Sequence, residues 1–166
     1  MAEQSKVDDQ LWLLDCADDF RQYSLDLVRQ SRRTLAILSH DLDANMYGTQ
    51  EFTEALSGFA RSSRQAQIQI LIKDTKPIIG SGHLLIRLAQ RLSSKIIVRK
   101  TTLEPNNKDM AFILGDTDKL LYKNDDSAYR GFFNGMATRE IKPLRDEFNY
   151  LWQYAEPEPE FQLLYI

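Results

Sequence analysis

The amino-acid sequence predicts an α/β domain with a mixed, mostly parallel sheet, helices on both faces and a C-terminal antiparallel hairpin. Short apolar runs alternate with stretches of helical periodicity along most of the chain. The chain has 166 residues, which is room for one domain of ordinary size. No sequence repeat with a period of roughly 20–50 residues recurs in it. Helices between successive strands return the chain to the same end of a sheet, so the alternation favours parallel neighbours.

The first half of the chain predicts a helix, a strand and a second helix. Apolar side chains recur at helical spacing over residues 18–33. The run 34–39 (TLAILS) is typical of a buried strand, and it leads into the polar loop 40–43. Thr49 is the expected N-cap of the next helix, whose apolar face includes Phe52 and Leu56.

The same alternation continues in the second half. Residues 67–73 and 95–101 predict strands, and the helix between them, with Ser81 as its expected cap, carries leucines on one face. Segments 110–114 and 120–123 predict a hairpin, and a long final helix stops at a Glu-Pro-Glu-Pro stretch. The loops that follow the three parallel strands, 39–48, 74–83 and 101–109, should share one edge of the sheet.

These elements predict one folded unit with two distinct ends. We expect a disordered N-terminus over residues 1–10, a single α/β domain over 11–156, and a Glu/Pro spacer with an apolar tail over 157–166. The apolar ending should be buried on this domain or on a partner.

The composition is that of a globular protein of a reducing compartment. Hydrophobic residues make up 43% and charged residues 27% of the chain, which excludes disordered and fibrous classes. No run is long and apolar enough for a membrane span, and the first residues lack the pattern of an export signal. The single cysteine, Cys16, cannot form an internal disulfide. We therefore expect a cytoplasmic protein.

Charge is segregated along the chain. Residues 1–60 carry 5 basic and 11 acidic side chains, residues 61–108 carry 10 and 2, and residues 109–166 carry 6 and 11. The basic segment 61–108 predicts a binding surface for an anion or a nucleic acid, if its cations also cluster in space. Its main candidates are four cations on the predicted helix and strand, Arg87, Arg91, Arg99 and Lys100, and Arg61, Arg64 and Lys95 could join them in one patch. The alternative is that these charges are solvated.

Polar residues also mark the expected loop edge of the sheet. His40, Asp41 and Asp43 follow the first strand, and Asp116 and Asp118 lie at the hairpin turn. An imidazole among carboxylates could serve a phosphodiesterase or a metal-dependent hydrolase, with His83 as a further member. Capping of tight turns by aspartate is the alternative. The sequence predicts no cofactor and contains no metal-binding motif.

The order of elements and the aromatic ending 148–152 (FNYLW) resemble one repeat of the phospholipase D superfamily, as in its single-repeat bacterial members. That family carries His, any residue, Lys, four residues and Asp on a strand that enters a turn. The matching positions here are Asp109, Ala111 and Asp116, so only the aspartate is kept. In the family that this chain resembles, the motif histidine attacks the phosphorus of the substrate and the motif lysine neutralises the charge on the phosphate oxygens. Asp109 would repel a phosphodiester and Ala111 offers no charge.

The leading hypothesis is therefore a non-catalytic phospholipase D-like domain that binds a protein or an anion. A hydrolase that uses His40 and the loop aspartates is one alternative, and a nucleic-acid-binding protein that uses residues 61–108 is another. The resemblance also implies a homodimer, because single-repeat members of the family pair symmetrically.

Overall fold

A computed structural model describes residues 5–6 and 10–161 as one sheet with helices packed on both faces. The strands are β1 (Ser5–Lys6), β2 (Leu11–Leu14), β3 (Thr34–Ser39), β4 (Gln67–Ile72), β5 (Ile96–Lys100), β6 (Ala111–Gly115), β7 (Lys119–Lys123) and β8 (Gly131–Asn134). The helices are α1 (Ala17–Gln30), α2 (Ala44–Tyr47), α3 (Gln50–Arg61), α4 (Leu84–Arg91) and α5 (Thr138–Tyr154), with a 3₁₀ turn at Pro159–Phe161.

The strands lie in the order β1-β2-β8-β7-β6-β3-β4-β5. Among the strand pairs of the described residues, β3–β4 and β4–β5 are parallel and the other five are antiparallel. The fold is thus a mixed α/β fold, but the sheet is mostly antiparallel and the prediction of a mostly parallel sheet is wrong. Among neighbouring strands, helices connect β3 to β4 and β4 to β5, whereas β6, β7 and β8 follow one another through short turns that reverse direction.

Two apolar layers hold the helices to the sheet. On one face, Phe20 and Leu27 of α1 pack with Leu56 of α3, Leu88 of α4 and the sheet residue Ile37 in a buried cluster. On the other face, α5 packs through its own apolar stripe against β6 and its neighbours: Ile141, Phe148, Leu151, Phe112 and Leu114. Each of these side chains is less than 4% exposed. Since neither layer is polar, the polar residues that could form a site lie at the ends of the strands.

Local sequence signals position several elements. Strand β3 has the predicted bounds, and the Thr49 hydroxyl accepts a hydrogen bond from the Phe52 N–H at 3.1 Å, which caps α3 as expected. At α4 the expected cap, Ser81, is wrong. His83 is the N-cap, and its ring accepts from the Leu85 N–H at 3.2 Å.

The three parallel strands give the sheet two chemically different edges. We call the rim the edge formed by the loops at their carboxyl ends and by the neighbouring end of the β6–β7 pair, residues 40–49, 73–83, 101–110 and 123–130. The amino edge is the opposite one, formed by the turns that enter β3, β4 and β5, residues 29–34, 61–67 and 91–96. The structure brings the three predicted rim loops together: the Asp74 N–H donates to the His40 carbonyl at 2.7 Å, and Lys73 Nζ donates to the Lys108 carbonyl at 2.9 Å.

Two predictions concern the ends of the chain. Residues 1–4, 7–9 and 162–166 lie outside the described residues, so the expected disorder and most of the apolar tail are not addressed. Within the expected N-terminal segment, Ser5 and Lys6 pair with Leu13 and Trp12 of β2. Among the described residues, no helix has both the length and the apolar character that a membrane crossing requires.

Candidate functional site

A buried ion pair lies at the centre of the rim. Lys73 follows β4 directly, and its Nζ lies 2.9 Å from Asp126 Oδ2 in the β7–β8 loop. The same amine donates to the carbonyls of Lys108 at 2.9 Å and Met110 at 2.5 Å. An ammonium group has three N–H donors, so Lys73 has used all of them inside the protein. Both side chains of the pair are almost buried, at 10% and 13% exposure.

The backbone of Asp126 extends this tie. Its N–H donates to the Asp109 carbonyl at 2.6 Å. The β7–β8 loop is therefore fastened to the segment that enters β6, and Lys73 fastens both to the end of β4. The geometry is that of a closed structural connection among three loops.

Four further polar side chains surround the pair. His40 is about half exposed, and its Nδ1 lies 3.6 Å from Asp126 Oδ2. Lys123, the last residue of β7, is buried, and its Nζ lies 4.4 Å from the centre of the Tyr129 ring. The Tyr129 hydroxyl donates to the Asp43 carboxylate. Burial and this hydrogen bond raise the pKa of Tyr129 to about 12, so the phenol is protonated at neutral pH.

The three positions of the degenerate motif do not meet in one pocket. Asp109 is exposed to solvent, whereas Ala111 is 4% exposed and lines a cavity of about 10 Å³ beside Lys123. A cavity of that size is barely large enough for one water molecule. Asp116 lies at the far end of β6, and five residues of strand separate it from the rim by about 17 Å.

Asp116 instead binds backbone at the amino edge. Its carboxylate accepts hydrogen bonds from the N–H groups of Arg32, Arg33 and Thr34 at 2.8–3.2 Å. Its own N–H donates to the Thr34 carbonyl at 2.9 Å. The one motif residue that this sequence keeps therefore ties the β6–β7 turn to the start of β3.

The structure brings together some of the residues predicted for the rim and separates others. His40 and Asp43 both lie within the polar cluster around Asp126 and Tyr129. Asp41 lies between them and is partly exposed. Asp118 lies in the same distant turn as Asp116, where its carboxylate is 3.2 Å from Lys119 Nζ. The cation site suggested by combining His40 with the turn aspartates is not assembled.

His83, the last residue of one rim loop, links that loop to the loop 40–49. Its Nδ1 accepts from Leu85 N–H, so the proton lies on Nε2, which donates to the Leu42 carbonyl at 2.8 Å. Leu42 has a φ of 51°, a left-handed conformation that is unfavourable for leucine. The bond from His83, together with the bond from Leu42 N–H to Ser39 Oγ at 3.0 Å, holds that conformation. Both ring nitrogens of His83 are thus engaged.

The cations predicted to bind an anion do not form one free surface. Arg87 and Arg91 are exposed on α4. Arg99 is turned towards α5, where its guanidinium lies 4.3 Å from the centre of the Trp152 ring and donates to the Trp152 carbonyl at 3.3 Å.

Lys100 is engaged by the acidic segment that follows α5. Its Nζ lies 3.8 Å from Glu156 and 3.5 Å from Glu158. A hydrogen bond from the Thr75 hydroxyl and, to a smaller extent, the charge of Lys100 lower the pKa of Glu158. The predicted pairing of Lys100 with Arg87 and Arg91 is therefore replaced by internal ion pairs.

Sequence reasoning missed four members of the rim cluster: Lys73, Lys123, Asp126 and Tyr129. Lys73 and Lys123 each follow or end an apolar strand, and a cation at that place was the one signal available. The partner Asp126 is 53 residues away from Lys73 along the chain. No local spacing links the two. Within the described residues, the group of side chains close enough to share a metal ion is a different one, Asp15, Cys16 and Asp19 near the start of α1.

Comparison with known proteins places this chain in a family and a fold. A family model described as "Domain of unknown function (DUF7931)" matches residues 16–164. The chain belongs to this family. No curated protein matches the DUF7931 chain in sequence.

Several solved structures share its fold at low sequence identity. NucT from Helicobacter pylori has a TM-score of 0.61 at 11% identity, with 94% of this chain and 99% of NucT covered. Nuc from Salmonella typhimurium, a phospholipase D family member, has a TM-score of 0.58 at 8% identity, with 83% and 90% covered. The archaeal chromatin protein TrmBL2 has a TM-score of 0.62 at 11% identity, with 93% of this chain but only 56% of TrmBL2 covered. The DUF7931 chain therefore has a phospholipase D-like fold and spans little more than half of TrmBL2.

Proposed function

We propose that this DUF7931 chain is a non-catalytic phospholipase D-like domain that acts by binding an anionic or protein ligand. The observation that carries the proposal is the tie from Lys73 to Asp126, Lys108 and Met110. A catalytic lysine needs an amine that can face phosphate oxygens as charge develops on them. The Lys73 amine faces a carboxylate and two carbonyls.

The positions that correspond to the family's catalytic pair support the same proposal. Asp109 carries a negative charge in place of an imidazole, and Ala111 is buried without a polar group. The rim loops together carry seven acidic and five basic side chains. A phosphodiester would therefore approach an edge with net negative charge, which lowers its local concentration there.

Anion binding elsewhere on the domain is compatible with this fold. TrmBL2, whose fold this chain shares, is an archaeal chromatin protein that shows a novel mode of DNA binding. The basic segment 61–108 gives this domain cations for a comparable ligand class. Because the rim is acidic, we place such binding away from it.

Hydrolysis assays test the non-catalytic part of the proposal. The full chain should release no nitrophenolate from bis-nitrophenyl phosphate above the buffer rate, with or without added divalent metals. The rival function, a hydrolase based on His40, has one observation in its favour, which is the half-exposed imidazole beside Asp126. Turnover that His40→Ala abolishes and His83→Ala preserves would refute the proposal and establish the rival, since His83 is fully engaged by backbone.

A further inference from the structure

The three turns of the amino edge share a short sequence pattern. Each begins with an arginine in the last turn of a helix, followed two positions later by a serine: Arg29-Gln-Ser, Arg61-Ser-Ser and Arg91-Leu-Ser. One or two further cations follow each serine or lie next to it, and these are Arg32, Arg33, Arg64 and Lys95. The pattern therefore occurs once before each of β3, β4 and β5.

The fold places the three turns side by side. The Gln67 N–H donates to the Arg33 carbonyl at 3.0 Å, and the Ile68 N–H donates to the Lys95 carbonyl at 2.8 Å. Lys95 Nζ also donates to the carbonyls of Ser63 and Arg64 at 3.0 and 2.6 Å. The second and third turns border a cleft of about 470 Å³. The cationic turns thus form one continuous surface across three neighbouring strands.

The three turns carry a high density of positive charge. The turns 29–34, 61–67 and 91–96 contain seven basic residues and no acidic residue. The carboxylate of Asp116 lies next to the first turn, where it accepts three backbone N–H groups. Among the described residues, none of the six arginines forms an ion pair. All six are exposed.

Helix capping explains only part of the pattern. A cation in the last turn of a helix interacts favourably with the helix dipole, which accounts for Arg29, Arg61 and Arg91. It does not account for the cations beyond the helix ends, nor for the absence of any acidic residue in the three turns. Like charges crowded on one surface repel one another, so an anionic ligand is the partner that this arrangement favours.

We infer that the amino edge binds the sugar–phosphate backbone of duplex nucleic acid without regard to base sequence. This inference rests on the proposed anion-binding function and names its surface and ligand. Three adjacent strands span about 10 Å, which matches about three phosphate-to-phosphate steps of one DNA strand at roughly 3.4 Å each along the helix axis. Arginine forks and the exposed serine hydroxyls of Ser63, Ser93 and Ser94 are suitable donors to phosphate oxygens.

The composition of the edge favours a duplex over other polyanions. Single-stranded nucleic acid is usually bound by stacking on aromatic side chains, and the three turns contain none. A membrane surface is usually bound by aromatic or large apolar side chains beside the cations, and Leu92, which is only partly exposed, is the one large apolar side chain between the helix ends and the strand starts.

The test measures binding of the full chain to a fluorescein-labelled duplex DNA of arbitrary sequence, by anisotropy at about 50 mM salt and upwards. The edge variant Arg32→Gln, Arg64→Gln, Arg91→Gln removes one cation from each turn. A matched rim variant removes three exposed cations of the rim: Lys76→Gln, Lys108→Gln and Arg130→Gln. Wild type and rim variant should bind alike, with affinity falling steeply as salt rises. The edge variant should bind at least roughly tenfold more weakly than wild type. A plot of the logarithm of its binding constant against the logarithm of the salt concentration should have a slope shallower by about three.

Each outcome decides between the claims. Binding that the rim variant loses and the edge variant keeps would overturn the inference but leave anion binding intact. No binding of wild type to DNA would overturn the inference and leave a protein or a small anion as the ligand of the proposed function. Tighter binding to phosphatidylglycerol vesicles than to DNA would replace the duplex by a membrane. The DNA is run on a gel afterwards, since cleavage would refute the non-catalytic proposal alone. If the triple edge variant does not fold, the single variants Arg64→Gln and Arg91→Gln should each reduce the salt slope by about one.

Discussion

Asp116 allows a direct test of whether the retained motif residue has a structural role. The perturbation is Asp116→Ala, which removes the carboxylate that accepts the N–H groups of Arg32, Arg33 and Thr34. The residue also has a φ of 52°, a left-handed conformation that aspartate and asparagine tolerate better than alanine. The substitution therefore acts on two terms at once, the hydrogen bonds and the backbone conformation.

The expected loss of stability follows from these two terms. Hydrogen bonds to a charged group contribute roughly 1.5–3 kcal/mol each when buried, but these N–H groups are accessible to water, so we assign about 1–2 kcal/mol to all three together. A left-handed alanine adds about 1 kcal/mol. Asp116→Ala should thus lower the free energy of unfolding by about 2–3 kcal/mol, which corresponds to a fall in Tm of roughly 5–10 °C for a domain of this size.

Urea and thermal unfolding followed by circular dichroism measure this loss. Asp116→Asn keeps an acceptor oxygen and the tolerance for a positive φ, so it should cost less than about 1 kcal/mol. Asp118→Ala is the matched control in the same turn, where the carboxylate lies 3.2 Å from the neighbouring Lys119 Nζ, and it should cost under about 1 kcal/mol. Unchanged stability of Asp116→Ala, or equal losses for Asp116→Ala and Asp118→Ala, would contradict the structural role.

Three further outcomes are expected. Lys73→Met leaves the nearly buried Asp126 without its cation and should lower the free energy of unfolding by about 2–4 kcal/mol, whereas the exposed control Lys76→Met should lower it by under about 0.5 kcal/mol. The double variant Lys73→Met, Asp126→Asn should lose less stability than the sum of the two single changes. Strict additivity would argue against the ion pair. The pKa of Tyr129 is raised in the folded protein to about 12, so its contribution to stability is complete below pH ~10 and is lost as the pH rises towards 12. Tyr129→Phe should therefore make stability depend less steeply on pH in the alkaline range. In an absorbance titration, it should also remove one tyrosine that ionises at unusually high pH. Sedimentation at micromolar concentration should give a dimer mass, as the family resemblance implies, and a monomer mass at every concentration would rule the dimer out.

The sequence allowed good prediction wherever a feature is set by neighbouring residues. The apolar run 34–39 gave β3 its bounds, and the hydroxyl of Thr49 gave α3 its cap, because both depend on residues within a few positions. The direction of the sheet depends instead on which strands become neighbours. Gly131–Asn134, which forms β8, is only four residues long and begins at a glycine, so it gave little signal, and with it the antiparallel half of the sheet was underestimated.

The location of the rim could be predicted from the sequence, but the contacts among its side chains could not. His40 and Asp43 were expected there because the residues that follow a parallel strand lie at its carboxyl edge, and that rule holds for any side chain. The identity of the partners depends on loops distant in sequence. Asp126 meets Lys73 across 53 residues, and no spacing in a single sequence indicates such a pair. The degenerate motif shows the converse: spacing identified Asp116, but only the structure shows that its oxygens face backbone.

The segregation of charge along the chain has a geometric cause that also locates the binding surface. In a unit of helix followed by parallel strand, the C-terminus of each helix and the start of each strand lie at the same edge, so cations placed at successive helix ends accumulate there. Favourable interaction with the helix dipole makes each such cation tolerable on its own. Three units in succession, ending in Arg29, Arg61 and Arg91, therefore concentrate charge at the amino edge, while the acidic loops collect at the rim. If charge were distributed only for solubility, the two edges would respond alike to substitution. A difference in DNA binding between the edge variant and the rim variant is the result that this polarity predicts.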